Sequence, residues 1–256
     1  MGAMFEIATH LALLLILAAF VAGFVDSIAG GGGLITVPAL LLAGANPVEA
    51  LATNKLQGTF GAATATVAYA RAGHVRLRDQ TGMALVSGAA GGLGALAAHL
   101  IPAEVLRLVM PVILIAVAAF FALKPGIGDA DRVQRMRPAV FTFTAVPLIA
   151  AYDGFFGPGT GSFFMLGFVM LAGYGVLKAT AHTKLLNFAS NIGSLLVFVP
   201  SGSMWWAVGS GMALAQIAGA SLGARLAMRV GAGLIKPLLV ITSTAMAARL
   251  IWQVWG

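Results

Sequence analysis

The sequence holds no cysteine, and charged side chains are scarce, at 9% of its 256 residues. The first absence excludes a disulfide framework and thiol chemistry. The second excludes an ordinary water-soluble domain, in which roughly a quarter of residues are charged. With 60% hydrophobic residues, the chain could not cover its own surface with polar groups, and a bilayer as solvent removes that difficulty. No Walker loop is present to power transport by ATP. No spacing of side chains points to a metal site, and no cofactor is expected. The charge that is present is positive, +7 net. Most of it falls in short loops between apolar runs, which is the positive-inside pattern rather than a nucleic-acid footprint.

Apolar stretches lie near 7–25, 34–44, 47–70, 82–101, 105–123, 139–152, 161–173, 176–199, 205–224 and 234–253. Most could cross ~30 Å of hydrocarbon as helices. The runs at 34–44 and 161–173 would reach only about 16–20 Å. Each follows a glycine-rich break, at 30–33 and 157–161. Glu6 stands where a cleavable signal would be basic, and the apolar run 11–25 is long; a retained first span is expected.

The chain repeats itself. Asp26, Gly30 and Gly32 recur at a constant offset as Asp153, Gly157 and Gly159; after a slip of two residues, Lys55-Leu56 recurs as Lys184-Leu185 and Leu93-Gly94-Ala95 as Leu222-Gly223-Ala224. Duplicated, glycine-interrupted short segments are the best sequence pointer to a transporter's binding site. The expected fold is an all-α polytopic membrane protein of two inverted repeats, about five helical segments each. The glycine-broken short helices would meet at the membrane midplane. Residues 1–125 would form the first repeat, 126–138 a cytoplasmic basic linker and 139–256 the second. Loops 71–80 (Arg71, Arg76, Arg78), 124–138 (Lys124, Arg132, Arg135, Arg137) and 225–236 (Arg225, Arg229, Lys236) carry the positive charge. All three fall on the cytoplasmic side if each half crosses five times, which inverts one half relative to the other. Re-entrant segments at 34–44 and 161–173 would instead give four crossings and leave 225–236 outside.

A carboxylate at membrane depth is costly and usually has a cavity and a partner. Asp26 and Asp153 are therefore candidates for proton coupling or for bracing the breaks. Glycine lets the chain turn there, and the helix that restarts points free N–H groups and a positive dipole end into the cavity. Gly31, Gly32 and Gly33, with Gly159, Thr160 and Gly161, are thus candidate anion ligands. Asn46-Pro47-Val48-Glu49 has the form of a helix start, with Asn as cap, Pro first and Glu three residues on. Thr53, Asn54 and Lys55 lie about two turns inside that helix, and Gln57 shares the face of Thr53. Thr183, Asn187, Asn191 and Ser194 make a polar stripe in the second half, beside Lys184. Such stripes also glue helices together, but neither lysine is near an end from which it could snorkel. A wall of cation, amide and hydroxyl suits an oxyanion. Asn54, Lys55, Gln57, Thr183, Lys184, Asn187 and Asn191 are the candidate substrate ligands. His182, just before Thr183, is a candidate proton carrier or a satisfied residue at a helix start.

The stretch from Gly23-Phe24-Val25-Asp26-Ser27-Ile28-Ala29-Gly30-Gly31-Gly32-Gly33 to Pro38, followed by Ala52-Thr53-Asn54-Lys55-Leu56-Gln57-Gly58, resembles the sulfite exporter TauE/SafE family of bacterial membrane permeases. Tyr152-Asp153-Gly154-Phe155-Phe156-Gly157-Pro158-Gly159-Thr160-Gly161 and Thr183-Lys184-Leu185-Leu186-Asn187 resemble its second signature. The resemblance covers nearly the whole chain. It implies a duplicated helical permease of the bacterial inner membrane. It also implies transport, often export, of sulfite, thiosulfate, organosulfonates or other organic anions, driven by the proton motive force. The partners expected are a small anion, protons and the lipid bilayer, with no nucleic acid and no enzyme activity. A passive anion channel is the neighbouring alternative. An intramembrane aspartyl protease is remote. Its second Asp belongs in Gly-x-Gly-Asp, which is missing, and the Pro38-Ala39-Leu40 triplet falls in the wrong half.

Overall fold

Asn46 starts a helix as its sequence context predicts. Its side chain accepts the Glu49 N–H at 3.0 Å, and the Glu49 carboxylate accepts the Asn46 N–H at 2.8 Å, a closed capping box with Pro47 in the first turn. The computed structural model describes residues 9–102 and 133–231, with 104–106, 109, 112 and 233 beside them. Among these residues the α-helices are α1 Thr9–Ala29, α2 Gly33–Leu42, α3 Pro47–Arg71, α4 Thr81–Leu100, α5 Pro138–Phe143, α6 Ala145–Phe155, α7 Thr160–Met170, α8 Val176–Phe198 and α9 Trp206–Val230. Most of the apolar run 105–123, all of 234–253, and Lys124, Arg132 and Lys236 lie outside the described residues.

The chain is an all-α polytopic membrane protein. Thr9–Ala29, Leu77–Leu100, Pro138–Phe155 and Trp206–Val230 are long and apolar enough to cross a bilayer. The helices α3 and α8 are as long, but their polar stripes face inward: Thr53, Asn54, Lys55 and Gln57 on one, Thr183, Lys184, Asn187 and Asn191 on the other, are all buried. Leu13, Leu14, Leu85, Leu148 and Leu214 point outward instead. Polar groups inside and leucine outside is the arrangement lipid demands. The short runs become α2 and α7, each about half the hydrocarbon thickness in length.

One boundary differs from the sequence expectation. The fall in hydropathy predicts a loop from 225, yet α9 runs on through Arg225 and Arg229. The buried stripe Gly219, Ala220, Gly223, Ala224, Ala227 continues past 224, with the arginines on the exposed side of the same helix. Helical packing therefore outlasts the apolar run, and Gly231, at φ +64°, ends it.

The two halves are interlocked. Helix α9, from the second half, packs on α1 and α3 of the first; α4, from the first, packs on α6 and α8 of the second; α3 and α8 pack together between them. Close approach depends on matched glycines. A Cβ on Gly94 would come within 2.0 Å of the Ala151 carbonyl oxygen, and one on Gly223 within 2.3 Å of the Phe24 carbonyl oxygen. Gly94 and Gly223 are partners in the sequence repeat, so the repeat extends to the packing.

Candidate functional site

Both glycine breaks arrive at the same place. Helix α1 ends at Ala29, and α2 restarts at Gly33; α6 ends at Phe155, and α7 restarts at Thr160. Gly30 turns with φ +81°, and a Cβ there would lie 2.3 Å from the Ser162 amide nitrogen. The first break therefore rests directly on the start of α7. Ser162 Oγ donates to the Ala29 carbonyl at 2.8 Å, satisfying an end group of α1. Tyr69 donates to the Ser27 carbonyl at 2.9 Å and Tyr152 to the Pro158 carbonyl at 2.6 Å, so each break is tied by a tyrosine. Neither restarted helix has a side-chain cap. The N–H groups of Leu34, Ile35, Thr160 and Ser162 bond carbonyls of the breaks and that of Gly32 bonds Asp26, while the positive dipole ends of both helices face the space between them.

That space is a cavity of about 30 Å³. A water needs roughly 10–15 Å³ on this scale, so the volume suits a few waters or a small oxyanion. Of the residues singled out from the sequence, Asp26, Gly31, Gly32, Gly33, Asn54, Asp153, Gly159, Thr160, Gly161, Asn187 and Asn191 line it. Hydrogen bonds set which way the amides face. Asn54 Oδ1 accepts from Thr36 Oγ1 at 2.7 Å and from Gln57 Nε2 at 3.3 Å, which leaves its NH₂ group for the cavity. Asn187 Oδ1 accepts from Asn191 Nδ2 at 3.3 Å, which likewise frees the Asn187 NH₂. The amides of Asn54 and Asn187 thus offer donors, as an anion requires.

The lysines do not line the cavity. Each lies behind a break, paired with the carboxylate of the opposite half: Lys55 Nζ with Asp153 Oδ1 at 2.8 Å, and Lys184 Nζ with Asp26 Oδ2 at 3.2 Å. Lys184 also donates to the Asp26 main-chain carbonyl. The expected bare cationic wall is therefore a crossed double ion pair of net charge zero. The reason is energetic, since an unpaired ammonium at this depth would cost several kcal/mol. Gly157 makes room for one pair: it turns at φ +93°, and a Cβ there would lie 3.0 Å from Lys55 Nζ.

Gln57 supports Asn54 rather than facing the cavity. Thr183 is buried away from it, with no hydrogen-bond partner for its hydroxyl among the described residues. His182 is also apart, its ring packed on Tyr174 and Phe168 at 4.9 and 5.6 Å between centroids, so bracing of α8 is what its contacts provide. Three lining residues were missed: Gly58, Gly157 and Gln216. Gln216 could have been noticed as a lone amide on an otherwise apolar helix, a placement that lipid penalises. Among the described residues no three His, Asp or Glu side chains converge to hold a metal ion.

Known proteins resemble this chain along nearly its whole length. The family model described as "Sulfite exporter TauE/SafE" matches residues 15–250. The chain is 59% identical over 246 residues to "Probable membrane transporter protein ORF9" of Sinorhizobium sp, across 96% of this chain and 94% of that protein. It is 44% identical over 255 residues to "Probable membrane transporter protein YfcA" of Escherichia coli strain K12, across 100% and 95%. A "Probable membrane transporter protein" of Haemophilus influenzae is 41% identical over 248 residues, 97% of each chain. No solved structure matches. Paired glycine breaks, each with its aspartate and lysine, and a match along nearly the full length lead to one conclusion: the chain belongs to the sulfite exporter TauE/SafE family of membrane transporters.

Proposed function

We propose that the protein is a secondary transporter of a small anion such as sulfite or thiosulfate, coupled to protons, that exports the anion down its own gradient and the membrane potential. The observation that carries this reading is the small cavity where two helix starts without side-chain caps and the amides of Asn54 and Asn187 converge. Donating amides and positive helix ends, with both buried lysines already paired, make a site for an anion that arrives with a proton. Organosulfonates and other organic anions fit the family but would need the cavity to widen. The crossed pairs would tie the two repeats together, and rocking of one against the other would change access. In this scheme residues 1–125 and 139–256 are inverted repeats of five crossings each. The basic loops 71–80, 124–138 and 225–236 face the cytoplasm of a bacterial inner membrane.

The test is flux of sulfite and thiosulfate in liposomes holding the purified protein, with and without a pH gradient. Saturable, gradient-driven flux supports the carrier. Flux indifferent to the gradient supports the passive channel and contradicts the coupling.

A further inference from the structure

The two ion pairs hold equivalent places in the repeat, but their surroundings differ. Asp153 has both carboxylate oxygens engaged by side chains, Oδ1 by Lys55 at 2.8 Å and Oδ2 by Ser190 Oγ at 2.5 Å, and its side chain is 3% exposed. Both carboxylates border the cavity, but the Asp26 side chain is 17% exposed. Its Oδ2 is 3.2 Å from Lys184, and Oδ1 has only the Gly32 amide, at 3.2 Å, among the described residues. The difference is written in the repeat. At the offset that matches Lys55 with Lys184, Ser190 corresponds to Gly61. Gly61 brings no hydroxyl, and the Gln216 amide occupies the place of a side chain there, with Oε1 2.3 Å from where a Cβ would stand.

We propose that Asp26 is the carboxylate that carries the coupling proton, and that Asp153 serves as the fixed partner of Lys55. The assignment rests on the reading of the chain as a proton-coupled anion carrier. A proton arriving from the cavity bonds to an Asp26 oxygen and removes its negative charge. Lys184 keeps its bond to the Asp26 main-chain carbonyl, so the ammonium stays in place. The set of four charges then carries one net positive charge, which the entering anion offsets. Loss of the anion returns the proton to water. The other groups that face Asp26 do not compete for this role. Lys184 comes from α8; the Lys55–Asp153 pair, from α3 and α6, is already closed; and the Tyr69 hydroxyl of α3 is spent on Ser27. Helices α2, α7 and α9 contribute only uncharged residues to the cavity, namely Gly33, Thr160, Gly161 and Gln216. Transport should take up one proton for each anion bound.

Infrared difference spectra of the purified full chain, with and without thiosulfate or sulfite, read the protonated carboxyl directly. The parent gains a carboxyl band on anion binding. Asp26→Glu moves that band in frequency, while Asp153→Glu and Ser190→Ala leave it where it is. A band that moves in Asp153→Glu and stays put in Asp26→Glu overturns the assignment and leaves proton coupling standing. A parent that binds anion without any carboxyl band overturns the assignment together with the proton-coupled reading. Where the Asp26→Glu chain does not fold, Asp153→Glu decides by itself, an unmoved band supporting Asp26 and a moved one refuting it.

Discussion

Replacing Lys55 with methionine keeps most of the side-chain volume and removes the charge opposite Asp153. At 2.8 Å the lost attraction is about 6 kcal/mol at an effective dielectric of ~20. Desolvation of the two ions already offsets much of that in the parent, so the pair itself contributes little net stability. The cost of the single change comes from stranding Asp153, which is buried with only Ser190 as a remaining side-chain partner. Stranding one partner of a buried pair destabilises by about 3–5 kcal/mol. The double variant Lys55→Met, Asp153→Asn strands nothing, since Ser190 can still bond the amide. It is expected to recover most of the lost stability without restoring the transport that the single change removes. Thermal unfolding in detergent, followed by tryptophan fluorescence, reads the stability, and liposome flux reads the function. A Lys55→Met protein as stable as the parent, or a double variant no better than the single one, would refute the argument that charge balance holds the breaks together.

Gly94→Ala should prevent folding, because its Cβ would meet the Ala151 carbonyl at 2.0 Å, while Gly82→Ala, with nothing within 4 Å, should be neutral or gain up to about 1 kcal/mol; size-exclusion profiles of the two separate them. Asn54→Leu removes a donor to a charged ligand worth about 1.5–3 kcal/mol, so KM for the anion should rise roughly 10–100-fold with the fold intact, checked by initial rates in liposomes. Asn46→Ala opens the capping box and should cost about 1 kcal/mol, lowering the melting temperature without changing KM. His182→Phe keeps the packing on Tyr174 and Phe168 and should leave proton-coupled flux near the parent value; a loss of gradient dependence would put His182 back in the proton path.

Much of the site was legible because the features that mark it are local. A glycine run, an aspartate before it and a lysine on the next helix are visible in a linear sequence, and their recurrence points to one shared site. What stayed hidden depends on which helices meet. Asp26 and Lys55 are near each other in sequence, as are Asp153 and Lys184, so sequence proximity invites the wrong pairing. The observed pairs cross because each break rests on the start of the opposite short helix, as Gly30 does on Ser162. Gly58 and Ser190 carry no signal of their own, and Gly157 is marked only as part of a break; their importance is the space or the bond they give to a partner. The end of α9 was misplaced because hydropathy falls at Arg225, whereas its small buried residues continue.

Calorimetric titration of the purified protein with thiosulfate, in buffers of different ionisation enthalpy, measures anion binding and its linked proton uptake together. Thiosulfate does not itself take protons near neutral pH, so any proton uptake belongs to the protein. Binding of one anion with uptake of one proton is expected, and loss of both when Asn54 and Asn187 are replaced by leucine. Tight binding without proton uptake, or binding that survives the loss of both amides, would contradict it.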